Sequence, residues 1–339
     1  MRLQVQVRVG RGAILESRHR VQVAVSAPDG ALVAASERPN LVTTFRSCAK
    51  PFQLLPLVER GHAERWGLSD EQLAVMAASH NGSRYHAALV SGILSQLDLT
   101  EHDLECGFHE PLDPESCARG RSGAEPPSPL FNNCSGKHAG MLCLARSEGW
   151  PLEGYTRAGH PIQKLMRRTV AEVCGLSPED LEVGIDGCSV SVFGLPLAAM
   201  ARGYAVFATA GPQGSDRERG LHRIRRAMQT FPLAVGGATS LSTAVMQASG
   251  GRLVSKGGGE GLECAGLPER GLGLALKCED GQGRAVGPAL IPVLEHLGAL
   301  AGAELEPLER WRRPVLHNHA GLEVGRIEAA VEVVAPAAT

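Results

Sequence analysis

The sequence predicts an α/β fold of the α+β kind, a mostly antiparallel sheet flanked by helices. Two patterns and one absence carry that expectation. Apolar and polar residues alternate with period two near both ends of the chain, and three-and-four helical spacing fills the middle. No internal repeat of a strand–helix unit is present, so the strands are expected to share one sheet with helices on its faces. The 339 residues are 43% apolar, enough for a full core, and no linker divides them. A single domain spanning 1–339 is expected.

In chain order, Leu3 to Val9 and Arg20 to Ala27 alternate, Pro28-Asp29-Gly30 signals a turn, and Ala31 to Ala35 resumes the apolar run as a meander. Helices are expected at Ala49 to Arg60, Asp70 to Ser79 and Tyr85 to Leu97. The Pro-, Gly- and Ser-rich stretch from Gly107 to Pro129 reads as a long surface loop. Further helices are expected at Lys137 to Arg146, His160 to Val173, Val190 to Ala201 and Arg217 to Thr230. Strands return at Arg252 to Ser255, Leu272 to Cys278 and Leu322 to Val334, with a helix near Ala289 to Leu300.

The balance of 34 basic against 36 acidic residues leaves a net charge of -2 and no basic face for nucleic acid. No apolar run approaches the roughly 18 residues that a membrane span needs. The N-terminal alternation lacks the apolar centre of a signal peptide, and nine cysteines follow no framework. Reduced thiols and a cytoplasmic location are the expectation.

Only five of the 34 basic residues are lysine: Lys50, Lys137, Lys164, Lys256 and Lys277. Arginine does not give up its proton in a protein, whereas a lysine can become a neutral base or ligand. In a chain that uses arginine for general charge, the few lysines in polar, glycine- or serine-rich settings are candidates for chemistry. Codon bias explains their scarcity but not those settings.

Four segments concentrate such groups. In Ser47-Cys48-Ala49-Lys50, a hydroxyl lies at a helix start with a lysine one turn on. A neutral lysine there could activate the serine while free N–H groups hold an oxyanion; a helix cap with a solvated lysine is the plainer account. Ser79-His80-Asn81-Gly82 ends an apolar helix, with an ordinary left-handed cap as its plainer account. Asn132-Asn133-Cys134-Ser135-Gly136-Lys137-His138 crowds a thiol, a hydroxyl, an amine and an imidazole before a helix. Downstream, Asp186-Gly187-Cys188 adds a carboxylate and a second thiol. Cys134, Cys188 and a third group could hold a tetrahedral zinc, or the cysteines could simply be buried small residues. Lastly, Lys256-Gly257-Gly258-Gly259 follows a strand and would let a substrate approach the backbone, without the spacing of a phosphate loop.

In this order the segments Arg46-Ser-Cys-Ala-Lys-Pro-Phe-Gln, Ala-Ser-His, Asn-Asn-Cys-Ser-Gly-Lys-His, Gly-Ile-Asp-Gly-Cys and Lys-Gly-Gly resemble the L-asparaginase II family of the Rhizobium etli type. The resemblance runs from Arg8 to about Val333. It implies a serine-β-lactamase-like sandwich, hydrolysis of L-asparagine to L-aspartate and ammonia, and a homodimer. It further implies two serine–lysine pairs, Ser47 with Lys50 and Ser79 with Lys256. By the same resemblance Cys134, Lys137 and Cys188 are zinc ligands, with the metal supporting substrate binding, and Arg46, His138 and Asp186 line the substrate site. The family usually carries Glu where this chain has Ser83. Two other functions remain open: hydrolysis of glutamine or another small amide by the same chemistry, and non-catalytic binding of zinc or an amino acid.

Overall fold

A computed structural model describes residues 1–334. The chain divides into two compact units, each continuous in space but not in sequence. One comprises 1–43, 195–209 and the described residues from 244 onward; the other comprises 44–194 and 210–243.

The first unit is built on an eight-stranded sheet. Its order is Val315–His317, Glu323–Val334, Arg2–Arg11, Leu32–Ala35, Ile14–Ser26, Leu272–Cys278, Leu262–Leu267 and Val254–Gly258. Arg2–Arg11 pairs antiparallel with Glu323–Val334 from Arg2↔Val334 to Arg11↔Gly325, so the two ends of the chain meet in one sheet, as their alternation predicted. Leu3, Val5, Val7 and Val9 are buried while the residues between them are less so, which is what period two produces on a half-covered face. The neighbouring ladders are likewise antiparallel; a single register, Arg2↔Ala35, is parallel. Helices Leu197–Thr209 and Val286–His296 pack on this sheet. At Gly273 a side chain would overlap the helix backbone at Ala201 and Ala205, so only glycine permits that close approach.

The second unit is mostly helical. Lys50–Glu59 packs against Ser135–Ser147, Pro161–Cys174 and Asp216–Thr230. Asp70–Met76 is fixed at its start by a reciprocal Ser69–Gln72 capping box. Ser135–Ser147 is buried on every side from Ser135 to Ala145. A helix buried all round is usually apolar, yet this one carries Ser135, Lys137 and His138 inside. Its polar side chains must therefore find partners within the protein.

Three local expectations are corrected. The stretch 107–129 is not one open loop, because Asp113 caps a helix at Pro114–Arg121. Residues 190–201 are not one helix. Ser191–Pro196 is a strand paired antiparallel with Glu182–Ile185, and the helix begins only at Leu197. Burial on both sides removes the alternation that marks a strand, so a short apolar run was ambiguous between the two. The strand expected at Arg252 to Ser255 is instead Val254–Gly258, in which Gly257 and Gly258 pair with Glu263 and Leu262 in a hairpin. Among the described residues no helix is long and apolar enough to cross a membrane.

Candidate active site

Nine of the ten site residues expected from sequence belong to the helical unit: Arg46, Ser47, Lys50, Ser79, Cys134, Lys137, His138, Asp186 and Cys188. Lys256 belongs to the sheet unit.

Ser47 lies in a 3-10 turn, Arg46–Ala49, that runs directly into helix Lys50–Glu59, and the Lys50 N–H donates to Ser47 O. The turn begins with Arg46 at φ 45, a left-handed backbone that costs a non-glycine residue energy. That conformation accompanies an ion pair, Arg46 Nε to Asp186 Oδ1 at 3.1 Å. Ser189, just beyond Cys188, is also left-handed at φ 73. Strained backbone thus sits on both sides of the cluster.

Four of the five lysines are buried, namely Lys50, Lys137, Lys256 and Lys277. At Lys50 the amine donates to Asn133 O at 3.2 Å and borders Cys134. Its pKa is lowered, first by burial and further by Lys137, against the opposing pull of the two sulfurs. The Lys137 amine donates to Cys188 Sγ at 2.9 Å. Burial would lower Lys137, but Cys134, Cys188 and Asp186 outweigh it and the net shift is upward. Cys134 and Cys188 are joined by a hydrogen bond. A hydrogen bond from Cys188, with Lys50 and Lys137 nearby, holds Cys134 well below the usual thiol range, whereas that same bond and burial push Cys188 up. The result is a buried thiolate between two amines.

His138 is fully buried on the same helix turn. Its Nδ1 meets the Tyr155 hydroxyl at 2.6 Å, and its Nε2 has no hydrogen-bond partner. Burial, then Lys137 and Lys50, hold its pKa well below the ordinary histidine value, so the ring is neutral.

The loop before this helix is locked from several directions. Asn132 Oδ1 accepts the Cys134 N–H at 2.8 Å while its amide donates to Cys106 O and Gly107 O. Gly136 is required because a Cβ there would overlap Val75 O of helix Asp70–Met76. Ser79 lies just past that helix, its N–H donating to Val235 O at 3.2 Å. Neither the Ser47 nor the Ser79 hydroxyl has a hydrogen-bond partner among the described residues. Neighbouring His80 accepts the Gly82 N–H at Nδ1, so its Nε2 donates to Ser135 Oγ at 3.0 Å. Ser83, standing where a Glu was expected, donates to His86 Nδ1 at 2.7 Å, since His86 Nε2 donates to Leu233 O. The serine thereby anchors its own loop. Lys256 is buried in strand Val254–Gly258 and donates to Gly257 O at 2.7 Å.

Tyr155, Glu105 and Asn133 were not singled out from sequence as site residues. Tyr155 is one of three tyrosines and lies in an irregular Gly-Tyr-Thr segment, so rarity was its only signal.

Among the described residues, two groups could hold a metal. Cys134, Cys188 and Lys137 offer two sulfurs and an amine in buried contact, a donor set suited to zinc once Lys137 gives up its proton. In the sheet unit, His19, Cys278 and Asp280 offer ligand atoms within 4.8 Å of one another. There, however, Arg284 Nε donates to His19 Nε2 at 3.1 Å, so His19 Nδ1 carries the proton and donates to Asp280 Oδ2 at 2.6 Å. A metal at that nitrogen would have to displace the proton.

A family model described as L-asparaginase II matches residues 7–329. No curated protein matches the chain. Among solved structures, Mglu in its glutamate form is 16% identical, with a TM-score of 0.46, covering 82% of this chain and 61% of that one. A β-lactamase from Mycobacterium bovis is 14% identical, with a TM-score of 0.42, covering 81% of this chain and 94% of that one. The chain thus spans less than two thirds of the Mglu structure it resembles.

Proposed function

The chain belongs to the L-asparaginase II family, a family of asparaginase-type amidohydrolases, and on that premise we propose that it hydrolyses L-asparagine to L-aspartate and ammonia by serine–lysine acyl transfer. One observation carries the mechanism: a buried lysine with a lowered pKa, Lys50, placed one turn beyond a serine whose hydroxyl is unengaged.

In this reading the neutral Lys50 amine takes the Ser47 proton as Oγ attacks the carboxamide carbon. The C–N bond then breaks, the leaving nitrogen takes that proton from Lys50, and ammonia departs. Water next attacks the ester carbonyl and gives a proton to Lys50. The acyl–Oγ bond breaks, Oγ recovers the proton, and aspartate is released. N–H groups of the turn at Arg46–Ala49 would face the oxyanion. Ser79 would relay protons or take the nucleophile's role instead.

The Arg46–Asp186 ion pair supports recognition of an amino acid. A zwitterionic substrate offers a carboxylate to Arg46 and an ammonium to Asp186, exchanging one pair for two. Cys134, Lys137 and Cys188 would hold a zinc, whose contribution when bound is to orient the substrate. The family match runs through both units, which supports reading them as one functional domain. A homodimer in the cytoplasm completes the proposal.

The test is ammonia release from asparagine and from glutamine, with the Ser47→Ala, Ser79→Ala, Lys50→Arg and Lys256→Arg variants. Asparagine is expected to be the better substrate, with both arginine variants inactive and an acyl-enzyme trapped only when Ser47 is present. An acyl-enzyme persisting in Ser47→Ala would transfer the nucleophile's role to Ser79. Asparagine raising the melting temperature of metal-replete protein without ammonia appearing would sink the catalytic reading.

A further inference from the structure

The buried imidazole of His138 raises a question of which nitrogen carries its proton, and the surroundings answer it. The Tyr155 oxygen accepts the Glu105 backbone N–H at 2.9 Å. Burial raises the pKa of this phenol, so it keeps its proton. Among the described residues, the only acceptor within reach of that O–H is His138 Nδ1, at 2.6 Å. The phenol must donate to it, because a protonated Nδ1 would leave the Tyr155 hydrogen buried with nowhere to go. With its lone pair accepting that O–H, Nδ1 carries no proton, so the imidazole proton lies on Nε2, the nitrogen without a partner.

We propose that Tyr155, clamped by Glu105, is a positioning residue that fixes His138 as the Nε2–H tautomer and aims that N–H at an acceptor oxygen of the substrate. The clamp is specific. One Glu105 carboxylate oxygen accepts the Gly154 N–H and the other accepts the Thr156 hydroxyl, each at 2.6 Å. Residues on both sides of Tyr155 are thus held by the Glu105 side chain, while the Glu105 backbone supplies the N–H that the phenol accepts. Gln163 fixes the Tyr155 carbonyl at 2.9 Å.

His138 is buried, and its Nε2 has no hydrogen-bond partner among the described residues. A buried N–H without a partner is costly, so a ligand that supplies an acceptor would complete the site. The complementary ligand group is a carboxylate or carbonyl oxygen, which deepens the asparaginase reading and rests on it for the identity of that ligand. The same tautomer excludes His138 Nε2 as a base or a metal ligand, since its lone pair is not available.

The tautomer is read directly from the nitrogen shifts and ring-proton couplings of His138 in 15N-histidine-labelled protein. His138→Gln serves to assign the signal. Wild type is expected to show the Nε2–H pattern, and Tyr155→Phe a mixture or the Nδ1–H form. Tyr155→Phe is further expected to raise KM for asparagine by about tenfold with a smaller change in kcat, the signature of a lost substrate contact. That rise should vanish in a His138→Gln background, which a general structural role for Tyr155 would not predict. An Nδ1–H or doubly protonated His138 in wild type would overturn the proposal, whatever the activity. Should Tyr155→Phe not fold, the wild-type spectrum alone decides. If the Nε2–H pattern appears but no ammonia is released from asparagine, the tautomer stands and the substrate assignment fails.

Discussion

Two buried cysteine clusters, one in each unit, ionise in opposite directions. In the helical unit, Cys134 lies beside Lys50 and Lys137 and accepts a hydrogen bond from Cys188, which holds it well below the ordinary thiol pKa. In the sheet unit, Cys278 donates to Asp280 Oδ1 at 2.9 Å, and burial together with that carboxylate pushes it up to about 12. Both residues are buried, so burial does not separate them. The sign of the neighbouring charge does. A thiolate among amines is a ready metal ligand that displaces protons on binding. A thiol bonded to a carboxylate, with His19 and Arg284 completing the network, serves as structural hydrogen bonding.

The comparison can be broken most forcefully at Lys50. Lys50→Met removes one of the two amines beside Cys134, the one proposed as the base. Ammonia release from asparagine is expected to fall by about 10²–10⁴-fold, the usual worth of a positioned acid or base. Near-wild-type turnover would place the proton chemistry elsewhere. Because burial lowers Lys50, its neutral form is reached at lower pH than in free lysine, and activity should rise with pH through that titration.

Gly136→Ala comes next. Its new Cβ would meet Val75 O and push helix Ser135–Ser147 away from its neighbour, at a cost of about 1–3 kcal/mol in denaturant unfolding. An unchanged midpoint would show that the helix carrying Lys137 and His138 is held less tightly than its burial implies.

The opposite ionisation is itself measurable. Ultraviolet thiolate absorbance of chelator-treated protein should contain a component at neutral pH that Cys134→Ser removes and Cys278→Ser leaves. Cys278 should contribute only as pH approaches about 12. A neutral-pH thiolate surviving in Cys134→Ser would reverse the assignment.

The smallest effect is expected at Asp280. Burial alone would raise its pKa, but hydrogen bonds from Cys278, His19 and the Gln282 N–H hold it at about 2. A depressed carboxyl pKa stabilises the fold above the unfolded value of roughly 3.9, and that contribution disappears as pH falls toward 2. With the side chain 46% exposed, solvent limits the contribution to about 1 kcal/mol or less. Asp280→Asn should lose that amount near neutrality and show a flatter acid limb. A loss of several kcal/mol would mean the sheet cluster is more than a hydrogen-bond network.

The amino-acid sequence by itself determined the elements whose pattern is periodic. Strands Arg2–Arg11 and Leu272–Cys278 and helices Lys50–Glu59, Arg84–Gln96 and Pro161–Cys174 were legible because each repeats its apolar positions with period two or near 3.6. Arginine's dominance over lysine drew attention to five amines, of which four are buried. Where both sides of an element are covered, as in Ser191–Pro196 and Leu262–Leu267, the pattern vanishes and the strand was misread or missed. The ordered motifs pointed to the family, yet they did not reveal Tyr155, which reaches His138 from an irregular segment, or Glu105, which holds Tyr155. Nor does a sequence state which of two cysteines keeps a proton or which nitrogen of a histidine bears one. Those depend on the charges and hydrogen-bond partners within a few ångströms, and only the folded chain brings together partners as far apart as Lys137 and Cys188, 51 positions from each other.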